Sequence, residues 1–154
     1  MFVIMASFFL FYIIFMFLPV AGPQFYFPAI GQQALDSANF YPVGLYFQTH
    51  PNMEVSPIPD AYLFRELVKT TQLVGERPTG AFPSSHVGIT VILLIILFKN
   101  SQRWFYCLLP ISILLFMATV YIKAHYVVDV IVGFIVAFPF HYLLTLLYKK
   151  LSKE

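Results

Sequence analysis

The sequence predicts an all-α polytopic membrane bundle, with about four transmembrane helices and one amphipathic helix lying at the membrane surface. Three observations lead there. Of 154 residues, 60% are hydrophobic and only 10% are charged, and the mean hydropathy is +0.80. A soluble domain carries roughly a quarter charged residues, so this chain has too few to coat a water-exposed surface. Four apolar stretches are long enough to cross a bilayer, which takes ~20 residues. The basic residues, finally, are distributed asymmetrically around those stretches. The net charge of +2 is too small to suggest a nucleic-acid partner, and the single Cys107 permits neither an internal disulfide nor a cysteine metal cluster.

The first expected span is residues 1–19, MFVIMASFFLFYIIFMFLP. It lacks a basic n-region, and its apolar run is too long for a signal-peptide core, so it is expected to stay in place. The second runs from Pro83 to Phe98, the third from Trp104 to Ile122, and the fourth from about Tyr126 to Tyr148. The second is the shortest and calls for tilt or local bilayer thinning. Residues 83–148 thus form a three-helix core. Lys99 and Arg103 flank the turn between spans two and three, and Lys149, Lys150 and Lys153 follow span four. Five of the nine basic residues therefore fall on one side, which the positive-inside rule makes the cytoplasm. The 149–154 tail lies there, while the 20–82 loop and the turn at Lys123–His125 face outward. The expected location is the cell membrane, as a multi-pass protein of a bacterial inner membrane with its site on the periplasmic face.

The outer loop is aromatic and punctuated by Pro and Gly, which suits a segment at headgroup level. Within it, Asp60 can cap a helix and Gly75 can end it. Between them, near 61–74, Leu63, Phe64, Leu67, Val68 and Val74 share one helical face, and Arg65, Lys69 and Gln72 share the other. Such a helix lies in the interface as a plain anchor, or its basic face collects anionic headgroups.

Two outward-facing segments carry chemistry. AFPSSHVG places His86 at the mouth of span two, where an ionisable ring is costly and marks function. YIKAHYVVDV places His125 and Asp129 four apart, one turn from each other if span four starts there. A carboxylate bonded to one ring nitrogen fixes the tautomer and raises the basicity of the other, which a histidine nucleophile needs. Ser84 or Ser85 can cap span two, whose free N–H groups favour an anion. Arg77 and Lys123 add positive charge. Singly, each has a plain explanation: an interfacial ring, a structural pair, a helix cap, snorkelling cations. Together on one membrane face they describe a phosphate site with its own nucleophile. His141, deep in span four, is expected to hydrogen-bond within the bundle, and His50 has no evident partner. With one carboxylate, no HExxH and no cysteine set, neither a metal nor another cofactor is expected.

These residues resemble the motifs of the type 2 phosphatidic acid phosphatase superfamily. That family carries P-S-x-H and a later S-R-x5-H-x3-D, preceded by K-x6-R-P. Pro83-Ser84-Ser85-His86 matches the second motif, and His125 with Asp129 matches H-x3-D. The FPSSH and HYVVD contexts are most similar to the branch that includes inositol phosphorylceramide synthases. The resemblance covers roughly residues 60–148. The expected S-R falls on Ala118-Thr119, so Lys123 is the substitute cation, without the guanidinium fork. Arg77-Pro78 is present, but Thr70 stands where the motif's lysine belongs, with Lys69 one residue further back. Members commonly have six spans, so four spans imply a truncated six-helix fold, a fragment or a naturally short form.

The resemblance implies a phosphatase or phosphotransferase that works on a lipid or isoprenoid phosphate drawn from the bilayer. His125 would be the nucleophile, Asp129 its orienting partner and His86 the general acid. Arg77, Lys123, Ser84, Ser85 and Lys69 would hold the phosphate. Water would resolve the intermediate in a phosphatase, and an alcohol or polyol acceptor in a transferase. The aromatic outer loop would form a lid. The competing expectation is a non-catalytic lipid-binding relative of the same fold.

Overall fold

The computed structural model describes residues 1–40, 42–43, 46–49, 66, 70 and 79–153. These residues form helices and no strand, and an isolated parallel bridge joins Val20 to Gly80. In chain order the helices are α1 (Phe2–Phe17), α2 (Pro23–Ile30), α3 (Gln32–Asp36), α4 (Tyr46–Thr49), α5 (Ser85–Asn100), α6 (Gln102–Tyr121) and α7 (Val127–Leu151). The expected interfacial helix near 61–74 lies outside the described residues except for Glu66 and Thr70. Both are helical, and the Thr70 hydroxyl donates to the Glu66 carbonyl at 2.8 Å.

The four apolar helices fall where the four spans were expected, but only two are long enough to cross a membrane. At 1.5 Å per residue, the 20 residues of α6 and 25 of α7 extend about 30 and 38 Å. The 16 residues each of α1 and α5 extend about 24 Å. Span two starts at Ser85 rather than Pro83, because Ser84 is the N-cap and accepts from the Val87 N–H. Span four starts at Val127, after a capping box in which the Asp129 carboxylate accepts from the Tyr126 N–H. Lys149 and Lys150 in the last turn of α7 complement its dipole.

Helix α5 is the hub, packing on α7, α6 and α1, while α6 and α7 scarcely touch. Directions follow from contacts. Phe2 meets Tyr148 and Phe11 meets Phe140, so α1 runs antiparallel to α7. Ser84 bonds Asp129 and Lys99 meets His141, so α5 runs parallel to α7. The core is Val87, Val91 and Ile92 of α5 with Ala137 of α7, flanked by Val3, Phe116 and Phe140. Two glycines permit this packing. The Phe11 ring occupies the space a Cβ at Gly88 would need, and a Cβ at Gly133 would run into the Ser84 carbonyl.

The outward faces stay apolar. Ile111, Leu114 and Met117 on α6 and Val127, Ile131 and Ile135 on α7 are exposed. Only 11% and 17% of the apolar stretches of α6 and α7 are buried within the protein. Continuous apolar surface of this kind marks a membrane or partner contact rather than a solvated face. Several buried polar residues, by contrast, gather at one end of the bundle: Ser84, Thr119, His125 and Asp129.

Candidate phosphoryl-transfer site

That end is built from three chain segments. The start of α5 supplies His86, the α6–α7 turn supplies His125, and the first turn of α7 supplies Asp129. The Ser84 N–H donates to the Asp129 carbonyl at 3.0 Å, which ties the α5 cap to α7. The Gly133 approach to Ser84 allows that bond to form.

His86 Nδ1 and His125 Nε2 lie 3.2 Å apart, and the rings meet at a 5.4 Å centroid distance. His125 is buried at 4% exposure, whereas His86 is exposed. The other nitrogen of His125, Nδ1, lies 2.8 Å from the Ala81 carbonyl oxygen. A carbonyl only accepts, so Nδ1 carries the proton and Nε2 presents its lone pair toward His86. The His125 N–H is held by the Thr119 carbonyl at 3.1 Å. The residue at the position expected for the motif arginine thus anchors the histidine through its backbone.

Asp129 departs from expectation. His125 precedes the helix, so the pair is not one turn apart on a single helical face. Asp129 Oδ2 accepts from the Tyr126 N–H at 2.8 Å and stands 3.8 Å from His125 Nδ1. The Ala81 carbonyl therefore fixes the ring, and the carboxylate acts on it through charge. Nothing in the side chain of Ala81 signals this role, since only its backbone takes part.

The residues expected to hold phosphate divide into three groups. Ser84 is fully buried, with its N–H on Asp129 and its hydroxyl capping Val87, so both are already committed. The N–H groups of Ser85 and His86, in the first turn of α5, have no acceptor among the described residues. Lys123 is exposed, with its backbone in the left-handed region at φ 61°, and its carbonyl accepts from the Gln24 N–H at 2.9 Å. Arg77, Lys69 and His50 lie outside the described residues.

The outer loop closes the back of the site. The Ala81 N–H donates to the Val20 carbonyl at 3.1 Å, and Phe27 stacks edge-on against Tyr126 at 6.4 Å. Gly22 passes so close that a Cβ would lie 2.8 Å from the Ala124 carbonyl oxygen. Far from here, His141 Nε2 pairs with Lys99 Nζ at 3.2 Å, within the bundle as expected. Among the described residues no three His, Cys, Asp or Glu side chains converge as a metal-binding group.

Residues 1–143 match the family described as the PAP2 superfamily. No curated protein and no solved structure matches the chain.

Proposed function

The chain belongs to the PAP2 superfamily, and on that premise we propose that it is an integral-membrane lipid phosphatase or phosphotransferase working through a phospho-histidine. The observation that carries this reading is the His86–His125 pair at 3.2 Å, with His125 Nδ1 held on a carbonyl so that Nε2 carries the lone pair that attacks. In the first step His125 Nε2 bonds to phosphorus and the bond to the leaving oxygen breaks. Protonated His86 gives its proton to that oxygen. The Asp129 carboxylate, 3.8 Å from His125 Nδ1, offsets the positive charge on the phosphorylated ring. Lys123, Arg77 and the Ser85 and His86 N–H groups neutralise the equatorial oxygens. In the second step the oxygen of water or of an alcohol attacks phosphorus. The P–N bond breaks, and the now neutral His86 takes the proton of the attacking water or alcohol.

The membrane setting rests on the exposed apolar faces of α6 and α7 and on the family. The shorter α1 and α5 fit by local bilayer thinning. A substrate entering from the bilayer at the outer leaflet, and kinship to the inositol phosphorylceramide synthase branch, belong to the same proposal. A second reading, a non-catalytic lipid-binding relative, is favoured by one observation: buried Thr119 stands at the position of the motif arginine. Phosphate release from phosphatidate, phosphatidylglycerol phosphate and undecaprenyl diphosphate, in detergent without added metal, separates the two. Release by the wild type that His125→Ala abolishes supports the enzyme. Folded wild type that releases nothing, with or without inositol or another alcohol, supports the binding protein.

A further inference from the structure

At the other end of the bundle, α5, α6 and α7 enclose a cleft of about 290 Å³. Val91, Leu94 and Ile95 of α5 line it with Phe105 and Leu109 of α6 and Phe134 of α7. Because α6 and α7 scarcely touch, the cleft opens between them. Lys99, in the last turn of α5, is the charged residue of this lining. Its ammonium donates to His141 Nε2 at 3.2 Å, and no carboxylate pairs with it among the described residues. One turn apart on α7, His141 Nδ1 and Thr145 Oγ1 are buried without hydrogen-bond partners among the described residues. An apolar cleft thus ends at a cation that has no carboxylate partner among the described residues.

We propose that this cleft holds one acyl chain of an anionic phospholipid, with the headgroup phosphate on Lys99. The inference rests on the membrane reading above but not on the histidine chemistry. From Val91 to Lys99 the cleft follows α5 for about 12 Å, at 1.5 Å per residue. One leaflet of a ~30 Å hydrocarbon core is about 15 Å deep, so a chain filling the cleft puts its phosphate level with Lys99. The positive-inside distribution makes that leaflet the cytoplasmic one, away from the candidate active site. The volume sits at the small end of the ~300–1,000 Å³ of ligand pockets, which suits a single chain.

The test uses the full chain carrying His125→Ala, so that no lipid is turned over. The protein, in neutral detergent, is titrated with phosphatidylglycerol or phosphatidylcholine of matched chains, and retained lipid is counted by native mass spectrometry. The background protein should retain phosphatidylglycerol more tightly than phosphatidylcholine. Lys99→Gln should weaken phosphatidylglycerol about tenfold, the loss expected for a charge-assisted bond, and weaken phosphatidylcholine less, because its phosphate is already partly offset by its own choline cation. Leu109→Trp, which fills the cleft, should weaken both. Lys99→Gln changes an exposed helix end and carries the test if the filled variant does not fold. Phosphatidylglycerol retained equally by the background and Lys99→Gln proteins overturns the proposal, as does competition by glycerol 3-phosphate at equal strength. A chain that stays monomeric in water without detergent overturns the membrane reading, an outcome distinct from either.

Discussion

Replacing Gly133 with Ala tests whether the α5–α7 contact aligns the histidines. The added Cβ would run into the Ser84 carbonyl oxygen and lie 3.2 Å from both the carbonyl carbon and the nitrogen of Ser84. All three are backbone atoms, so no side chain can swing aside, and α5 must withdraw from α7 by roughly 1 Å. Overpacking of this kind costs about 1–3 kcal/mol, while Ala in place of a helical Gly returns about 1 kcal/mol of propensity. The two nearly offset, leaving a net destabilisation of at most about 2 kcal/mol. The site has no such compensation. Withdrawal loosens the Ser84–Asp129 bond and the 3.2 Å His86–His125 approach. A misplacement of ~1 Å can cost about 100-fold in rate. Thermal unfolding in detergent and phosphate release should therefore separate, with a small shift in the first and a fall of about two orders in the second. Gly133→Ala with wild-type turnover would refute the inference that this contact sets the geometry.

Three further outcomes follow from the same site. His86→Ala should slow release from a lipid phosphate by about 10²–10⁴-fold, the usual worth of a general acid. It should still give a burst of nitrophenol from p-nitrophenyl phosphate, whose leaving group needs no proton; stopped-flow absorbance reads this directly. Asp129→Asn can keep the cap to Tyr126 while removing a charge 3.8 Å from His125. At an effective dielectric of ~20 that charge is worth about 4 kcal/mol, so turnover should fall by up to about 1,000-fold with circular dichroism unchanged; an unaffected rate would leave the carboxylate a cap and nothing more. Lys123→Gly removes a cation yet relieves a non-glycine residue at φ 61°. The melting temperature should hold or rise while KM rises, and a KM equal to wild type would take Lys123 out of phosphate binding.

Much of this architecture is legible in the sequence because apolar length and charge asymmetry report directly on helices. All four apolar helices lie where the hydrophobic stretches are, and both histidines fall at the same end of the bundle. What the sequence does not reveal is backbone chemistry. Ala81 holds His125 through its carbonyl, and Thr119 does so through another; no side chain advertises either bond. The i, i+4 spacing of His125 and Asp129 suggests a shared helical face, but the helix begins only at Val127. The capping requirement of that first turn draws the carboxylate to the Tyr126 N–H. Ser84 looks like a phosphate ligand in the motif, yet a buried cap must spend its polar atoms on the chain itself.

The measurement that bears most directly on the central claim is a rapid-quench search for the phosphorylated enzyme. Wild type and His125→Ala are mixed with a radiolabelled lipid phosphate for milliseconds, denatured in base, and mapped by mass spectrometry. The account predicts an acid-labile, base-stable phosphate on the peptide containing His125, absent from the variant. Turnover by the wild type with no such adduct, or with label on another residue, would contradict it.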